Sequence, residues 1–284
     1  MNEYLDKTGL TYFWGKIKEK FNTMITEKIS TDHNSIYQKK DITAWFRSGE
    51  LWERIANDFD GIYPGQYFDC GKTITAKGSS ETGTSIILIA GCNVHLNTNS
   101  GMRYNHITCV PVTHFGTAYM NPSNTTKGAY LGSDMNQSII GGVATSGGGN
   151  TINSQLFGVF GSHLKTSTEL LSNSINANGY NRFGTNSGCS NDWDWHPVQA
   201  VLMSEIEVYG STVWSSSGFD TGSAKVQMPA FRYNTNDMIP NDTYYFLKDV
   251  VSSEGFCTTS GNGFTAYNRA SDIRHVRPRF ILGK

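Results

Sequence analysis

Charge is scarce in this sequence. Asp, Glu, Lys and Arg make up 17% of its 284 residues, and the net charge is −1, whereas about a quarter of the residues in a soluble domain are usually charged. Asn, Ser, Thr and Gly take their place, and these residues favour turns and exposed loops. The basic residues are scattered and form no stripe, so the electrostatic surface that nucleic-acid binding requires is missing. We therefore expect no nucleic-acid partner.

Long apolar segments are missing as well. The longest apolar run, SIILIAGC, is far too short to span a bilayer. Met1 leads directly into NEYLDKTG, without the apolar core of a signal peptide. We therefore expect no membrane segment, and synthesis in a cytoplasm without a secretion signal. A protein of this kind that works outside the cell would leave by another route, such as lysis.

Cysteines are few and follow no pattern. Secreted disulfide frameworks use even numbers of cysteines at characteristic spacings. The five cysteines here are an odd number and are spread over the chain, so we expect reduced thiols: Cys70, Cys92, Cys109, Cys189 and Cys257.

The N-terminal segment carries the clearest helical pattern. Apolar residues with 4-3-4-3 spacing predict an amphipathic helix over residues 10–29, and we assign to oligomerisation or attachment the stripe of Leu10, Trp14, Ile17, Phe21 and Met24. The alternative is a helix packed on its own domain. About two to three heptads are short for a free coiled coil, so the association of these helices would need additional contacts from the body. The polar stretch STDHNSIYQKK predicts a hinge, which divides the chain into an assembly segment, 1–40, and a body, 41–284.

The body begins with a short helical stretch and continues with strands. ITAWFRSGELWERIAND is one helix, or two if Gly49 interrupts it. From Ile62 onward, β-branched and aromatic runs between turn residues predict strands in GIYPGQYF, TSIILIAGCNVHL, HITCVPVTHF, TYYFLKDVVSS, GFTAYNR and HVRPRFILG. STELLSNSI is predicted to be a short helix, or the end of one that starts near Thr151. AVLMSEIEVYGSTVW is either a helix ended by Gly210 or a strand.

The usual motifs for catalysis and phosphate binding are missing. CGKT lacks an upstream glycine at the spacing of a phosphate-binding loop, and no helix follows it. No G-x-S-x-G is present, so there is no nucleophile elbow. We therefore expect the chain not to be an enzyme. Because carboxylates distant in sequence can converge for glycoside cleavage, a cell-wall polysaccharide hydrolase remains an alternative.

HITCVPVTHF is the first of two stretches that we tested for metal binding. On a strand that rises about 3.3 Å per residue, His106 and His114 share a face but lie about 26 Å apart, and Cys109 points to the other face. These residues cannot share an ion unless the strand breaks at Pro111. We expect no metal site.

NDWDWHP is the second stretch. An extended backbone would place Asp192 and Asp194 on one face, where they could hold Ca²⁺, and Trp193 and Trp195 on the other, where they could stack on a sugar ring. We favour a turn whose two tryptophans anchor the core.

Segments along nearly the whole chain resemble a known family. YLDKTGLTYFWGKIKEKF resembles the N-terminal segment of tail-associated proteins in phages and prophages of Gram-positive bacteria. A resemblance to the body of phage minor structural proteins is found in two further stretches: LWERIANDFDGIYPGQYF through MNPSNTTKGAYLGSDM, and LMSEIEVYGSTVWSSSGFDTGSA. YYFLKDVVSSEGF and NRASDIRHVRPRFILG resemble the closing block of a C-type-lectin-like domain. In that block relatives often have Trp-Leu-Arg and Gly-Val-Arg-Pro, where this chain has FLKD and HVRP.

The resemblance implies an α+β fold, in which an N-terminal amphipathic helix is followed by a β-rich C-type-lectin-like domain with long loops. The first and last strands pair in such domains, so GIYPGQYF and VRPRFILG are the expected partners. In the last strand, Arg277 and Arg279 alternate with apolar residues, which predicts one buried and one hydrated face. The Glu-Pro-Asn and Gln-Pro-Asp tripeptides of calcium-dependent sugar sites are absent, and we expect no cofactor.

The resemblance also implies a role in host attachment. The stretch between Asp249 and Arg277 corresponds to the part that varies in ligand-binding relatives, and aromatic side chains beside amides provide good contact chemistry. The receptor-binding residues implied in this way, together with the two tryptophans of NDWDWHP, are Phe256, Thr258, Asn262, Phe264, Tyr267, Asn268, Trp193 and Trp195.

Partners and location follow from the same resemblance. We expect a virion protein of the tail or fibre, whose partners are other virion proteins and a host cell-surface glycan or protein. We expect a homo-oligomer, and a trimer is the favoured state. The alternative is a structural virion protein, such as a decoration or connector protein, that binds no receptor.

Overall fold

Antiparallel strands make up most of the body. The computed structural model describes residues 7–31, 33–175, 190–215 and 226–284. The chain is 27% helical and 30% strand, which confirms the predicted mixture of helix and sheet. In chain order the strands are β1 (Tyr67–Ile74), β2 (Thr84–Cys92), β3 (His106–Pro111), β4 (Thr117–Ala118), β5 (Leu164–Lys165), β6 (Ser167–Ile175), β7 (Ser190–Val198), β8 (Ala200–Leu202), β9 (Phe246–Val250), β10 (Gly255–Thr259), β11 (Thr265–Arg269), β12 (Arg274–His275) and β13 (Pro278–Gly283).

Six of these strands form a curled antiparallel half-barrel. Their order is β1-β2-β3-β13-β5, and β8 also pairs with β13. A three-stranded sheet has the order β11-β10-β9, and the pairs β12-β4 and β6-β7 form two further small sheets. The strands predicted in HITCVPVTHF, TYYFLKDVVSS and GFTAYNR are therefore confirmed as β3, β9 and β11.

The last strand lies inside the sheet rather than beside the first strand. β13 pairs with β3 on one side and with β5 and β8 on the other, whereas β1 pairs with β2. The predicted pairing of GIYPGQYF with VRPRFILG is therefore wrong. The physical reason is that all six residues of β13 are buried, and neighbouring strands cover both of its edges.

The two arginines near the end of the chain are both fully buried, so the predicted hydrated face is also wrong. Arg277 donates hydrogen bonds to the backbone carbonyl oxygens of Pro111 (3.2 Å), Met238 (2.8 Å) and Asp237 (2.6 Å). Arg279 pairs with two buried carboxylates. A guanidinium can be buried where its N–H groups meet carbonyl oxygens, as in Arg277, or where carboxylates balance its charge, as in Arg279.

Short helices connect the strands, and one long helix precedes them. Gly49 has φ 80° and separates two short helices, so ITAWFRSGELWERIAND forms two helices rather than one. The α-helices are α1 (Lys7–Thr31), α2 (Thr43–Ser48), α3 (Glu50–Ala56), α4 (Ile152–Phe160), α5 (Glu205–Tyr209), α6 (Pro229–Tyr233) and α7 (Thr235–Met238), with one-turn 3₁₀ helices at His33–Ser35, Gly161–His163 and Pro240–Asp242 and a π-helix at Met135–Ile140.

Two segments that the sequence left between helix and strand are now assigned. STELLSNSI is strand β6, so the predicted helix is wrong; Ser167, Glu169 and Leu171 are buried at the two-residue period of a strand. AVLMSEIEVYG contains both alternatives, because β8 leads into α5. Ser204 caps α5, and Gly210 ends it at φ 80°.

Helix α1 confirms the predicted N-terminal helix and leaves its apolar stripe uncovered. Leu10, Trp14 and Phe21 are 58%, 57% and 60% exposed, and Ile17 is half-buried. Met24 belongs to α1 but lies outside the residues whose side chains the structure describes. Because residues 10–21 expose this stripe, they are not packed on the body, and the alternative of a helix buried against its own domain does not hold for them.

The segment after α1 is fixed to the body. His33 is buried, and its Nδ1 lies 2.8 Å from the carbonyl oxygen of Ile62. Asn34 exchanges two hydrogen bonds with the backbone of Cys92, at 2.7 and 2.8 Å. The hinge predicted in STDHNSIYQKK is therefore wrong for residues 33–40, because these residues contribute contacts to the core.

The described cysteines are buried and form no disulfide: Cys70, Cys92, Cys109 and Cys257. This confirms the expected reduced state for these four, while Cys189 lies outside the described residues. Within the described ranges, no helix has the length and apolarity needed to cross a membrane.

Candidate binding surface

A β-hairpin at the edge of the three-stranded sheet contains most of the residues implied in receptor binding. β10 and β11 pair over five residues each, and β11 is the edge strand. At the tip of the hairpin, the Phe264 N–H donates to Ser260 Oγ (3.0 Å), and the Ser260 N–H donates to the Phe264 carbonyl oxygen (2.8 Å). The tip is thus closed by its own hydrogen bonds, and the Phe264 side chain is left 67% exposed.

The loop after α5 brings further aromatic side chains to this hairpin. The indole of Trp214 meets the ring of Tyr267 edge-on, with ring centroids 5.0 Å apart. The hydroxyl of Tyr209 donates to the carbonyl oxygen of Phe264 (2.9 Å), and burial raises the pKa of Tyr209, so this hydroxyl stays protonated. Val213 and Trp214 are exposed. We call these five residues, Tyr209, Val213, Trp214, Phe264 and Tyr267, the aromatic patch.

A buried carboxylate holds the loop in place. Oε2 of Glu205 accepts the backbone N–H groups of Val213, Trp214 and Ser215 at 2.9 to 3.0 Å, and also the Ser215 hydroxyl at 2.9 Å. A carboxylate that accepts several backbone N–H groups fixes the loop that contributes them. The exposed Trp214 is thus presented from a segment, 213–215, whose backbone is fixed by Glu205.

Two of the implied receptor-binding residues are in the core. Phe256 and Thr258 are 0% exposed, because all five residues of β10 are buried. Neither side chain can contact a receptor on this surface, and both are removed from the candidate site. Thr258 instead donates its hydroxyl hydrogen bond to Oδ1 of Asn268 (3.0 Å).

The other implied residues of the hairpin reach the surface. Asn262 is exposed at the tip, and Tyr267 and Asn268 are half-buried on β11. Along the edge of β11 lies a shallow cavity of about 240 Å³, which is lined by Ser252, Glu254, Gly255, Tyr267, Asn268, Arg269 and Asp272. Tyr267 therefore belongs to both the aromatic patch and this polar cavity.

Trp193 and Trp195 lie elsewhere. They are on β7, opposite Ser172 and Leu170 of β6, in a sheet separate from the hairpin. The predicted turn at NDWDWHP is wrong, because this stretch is a paired strand. Trp195 is 39% exposed and Trp193 is half-buried, so neither anchors the core. They form a separate surface and do not extend the aromatic patch.

A second cavity, of about 500 Å³, lies beside the segment that follows α1. Its aliphatic lining includes Ile86, Leu88 and Val112. At its rim Tyr37 donates a hydrogen bond to Asp237 (2.8 Å), and burial raises the pKa of both groups, that of Tyr37 to about 12. An apolar cavity with a few polar groups suits a small amphipathic ligand.

The metal group tested in the sequence does not form. His106 packs beside His95 and His114 beside His275, so β3 keeps the two histidines apart as the spacing predicts. Two other groups bring potential ligand atoms within 4.8 Å of one another. One is buried and consists of Glu205, Asp249 and Cys257; the other is more accessible and consists of Glu81, His114 and His275.

Sequence reasoning missed three members of the aromatic patch: Tyr209, Val213 and Trp214. The signal was present in VYGSTVW, where a helix stop is followed by two large apolar residues with no further periodic pattern. Large apolar residues in such a loop either return to the core or stay exposed. The sequence alone could not distinguish these outcomes, because they depend on the hydrogen bonds that the backbone N–H groups of this loop donate to Glu205.

Comparison of the chain with protein-family models, with curated proteins and with solved structures finds no match. The functional argument therefore depends on the residues and geometry of this chain.

Proposed function

We propose that the chain is a phage virion protein of the tail or fibre, in which α1 assembles and attaches the protein and the body displays a surface that binds a host cell-surface receptor. The observation that carries this proposal is the uncovered apolar stripe of α1. A second exposed apolar surface is the aromatic patch on the body. One apolar surface would serve assembly, and the other would serve recognition.

The stripe supports an oligomer. Burying one large apolar side chain contributes about 1.5–3 kcal/mol, and Leu10, Phe13, Trp14 and Phe21 are each more than half exposed. Phe13 widens the stripe beyond the residues that the sequence singled out. A broad apolar face is better covered by two neighbouring helices than by one, so a trimer is the proposed state.

The body offers contact chemistry suited to a glycan or a protein. Aromatic rings at the patch can stack on a sugar or fill an apolar recess, and Asn262 and Glu254 beside them supply hydrogen-bonding groups. Side chains of this kind are common in surfaces that bind with adaptable polar contacts around rigid aromatic ones.

We also propose that the body is C-type-lectin-like, and two of the residues that carry the resemblance support this. In FLKD, Lys248 stands where relatives have Arg; it is buried on β9 and pairs with Glu169 at 2.9 Å. In HVRP, Arg277 is buried and satisfied by backbone carbonyl oxygens. The basic positions of both motifs therefore have a structural role in this chain.

The test is cell binding by the full-length protein, labelled with a fluorophore, on a panel of Gram-positive strains before and after removal of wall polysaccharide. We expect binding to a narrow subset of strains, and loss of binding after polysaccharide removal if the receptor is a glycan. The double variant Trp214→Ala, Phe264→Ser should lose at least about tenfold in affinity, because truncating an aromatic hot spot costs about 2 kcal/mol or more.

Tyr104→Ser is the matched control, because Tyr104 is an exposed aromatic next to Lys165 and outside the patch. Undiminished binding by the double variant would remove the patch from the receptor site. If a correctly assembled oligomer bound no strain, the alternative of a structural virion protein would be favoured. The exposed Val213, Trp214 and Phe264 would then contact a neighbouring subunit, and labelling of the patch on intact particles would show it covered.

A further inference from the structure

Two histidines and a glutamate converge outside the aromatic patch. His114 follows β3, His275 ends β12, and Glu81 lies in the loop between β1 and β2. Nε2 of His275 is 3.2 Å, and Nε2 of His114 is 3.6 Å, from the same oxygen, Oε2 of Glu81. The two imidazole rings have centroids 4.2 Å apart. Three potential ligand atoms thus face one point from three separate segments.

Two of the three distances between these atoms fit a tetrahedral ion, and all three atoms lie within 4.8 Å of one another. When metal–ligand bonds are about 2.0–2.1 Å, tetrahedral geometry places neighbouring ligand atoms about 3.3–3.4 Å apart. The observed distances of 3.2 and 3.6 Å lie on either side of this value. Imidazole and carboxylate donors suit zinc and similar transition metals. We propose that Glu81, His114 and His275 form a binding site for a divalent transition-metal ion of the zinc type.

The hydrogen bonding of His275 favours ligation. Its Nδ1 lies 2.9 Å from the carbonyl oxygen of Tyr244, so Nδ1 carries a proton and donates it. Metal-binding histidines commonly donate their second ring N–H to a carbonyl oxygen or carboxylate in this way. The lone pair of Nε2 then points at the Glu81 carboxylate, and two acceptors in contact require a cation between them, either a metal ion or a proton.

His114 is the weakest of the three ligands. Its Nδ1 accepts the backbone N–H of Gly116 (3.0 Å), so in the metal-free protein the ring proton is on Nε2, which lies 3.6 Å from Oε2 of Glu81. Metal binding moves this proton to Nδ1 and breaks the bond with Gly116. We therefore expect weaker binding than at a four-ligand structural zinc site.

The site is open to solvent and has room for a fourth ligand. A cavity of about 370 Å³ adjoins the cluster, and its lining includes Glu81, His275, Thr117 and Tyr244. The Glu81 side chain is 49% exposed. Water can therefore complete the coordination, as at zinc sites with three protein ligands. This inference does not depend on the proposed receptor binding.

The test is isothermal titration of the full chain, with any polyhistidine tag removed, using ZnCl₂ and, in parallel, MgCl₂. We expect one zinc ion per chain, no comparable magnesium binding, and a higher melting temperature with zinc, because a ligand that binds the folded state stabilises it. Glu81→Gln and His275→Ala should each weaken zinc binding by about 10- to 100-fold or more, since even partners of metal ligands contribute that much.

His163→Gln is the matched control, because His163 stacks on Trp52 away from the cluster, and its zinc affinity should equal that of the natural chain. Glu81→Gln changes an exposed, isosteric side chain, so the folding of this variant can be verified by its unchanged melting temperature without metal. The proposal is overturned if the natural chain binds no zinc, or if Glu81→Gln and His275→Ala bind it as tightly as the natural chain. In that event the cluster is an ion pair that takes up a proton in place of a metal.

Discussion

Arg279 is the residue on which the buried electrostatics of the body depend most. Its Nε donates to Oε1 of Glu207 (2.6 Å), and its terminal nitrogen donates to Glu169. Lys248 adds a second cation, 2.9 Å from Glu169 and 3.9 Å from Glu207. Burial alone would raise the pKa of Glu169, but Arg279 and Lys248 outweigh burial and hold this pKa well below its usual range. The negative charges of Glu169 and Glu207 thus balance the positive charges of Arg279 and Lys248 inside the core.

Replacing one acid of this cluster should be strongly destabilising. Glu169→Gln removes a charge but keeps the shape, so Arg279 and Lys248 lose their shared partner inside the core. Breaking a buried ion pair by removing one partner costs about 3–5 kcal/mol. We expect a loss of this size in the free energy of unfolding measured by urea denaturation.

The control for this prediction is Arg47→Ala, which breaks an exposed pair with Asp69. Exposed pairs contribute about 0–1 kcal/mol, so Arg47→Ala should change stability little. If both variants lost the same small amount, the buried cluster would have no special role in stability.

At the scale of elements, periodic sequence patterns were sufficient where packing is local. The 4-3-4-3 spacing of α1 and the β-branched runs of β2 and β3 gave correct elements. STELLSNSI was misassigned because its state depends on β7 and on the pairing of Glu169 with Arg279, 110 residues away. The position of β13 between β3 and β5 is likewise set by contacts distant in sequence, and short-range patterns do not encode such contacts.

The candidate site shows the same limit at the level of side chains. The family resemblance placed Tyr267 and Asn268 in a variable surface stretch, and both reach the surface. It placed Phe256 and Thr258 there as well, because nothing local shows that β10 lies between two strands and is buried. Trp214 joins the patch through its ring contact with Tyr267, and its backbone N–H donates to Glu205. Residues that converge through such long-range contacts cannot be read from spacing.

Truncation should separate α1 from the segment that follows it. Deleting residues 1–31 removes the exposed stripe but keeps His33, Asn34 and Tyr37 on the body, so we expect a folded monomer. Deleting residues 1–40 also removes the contacts of these three residues with Ile62, Cys92 and Asp237, and should lower the melting temperature. Light scattering after size exclusion, combined with thermal melts, measures both effects.

The shorter truncation is also the control for the longer one. An oligomer that survived deletion of residues 1–31 would place the assembly surface on the body and contradict the role proposed for α1. Equal melting temperatures for the two truncations would show that residues 33–40 add nothing to the stability of the fold.

For the whole molecule, the burial of neutral histidines makes stability depend on pH. His95 and His106 are 0% exposed. Nδ1 of His106 lies 2.9 Å from the carbonyl oxygen of Tyr104, and its Nε2 accepts the backbone N–H of His95 (3.2 Å). One ring nitrogen therefore donates and the other accepts, which only the neutral ring can do. Protonation of His106 would break the bond from His95.

We expect the free energy of unfolding to be highest above pH 6.5 and to fall as the pH is lowered towards 4. Burial lowers the pKa of His106 from 6.5 in the unfolded chain to about 4 in the folded protein, so between these values the unfolded state binds more protons and acid favours it. For His106 alone the loss amounts to about 3 kcal/mol. His95 changes in the same direction because burial also lowers its pKa, and Glu169 adds to the loss below its own unfolded pKa of 4.5.

His106→Gln should be less stable at pH 7 but should show a smaller fall in the free energy of unfolding between pH 6.5 and 4, measured by urea denaturation at a series of pH values. A free energy that stayed constant over this range in the natural chain would mean that folding does not lower the pKa values of these histidines, and would contradict the prediction.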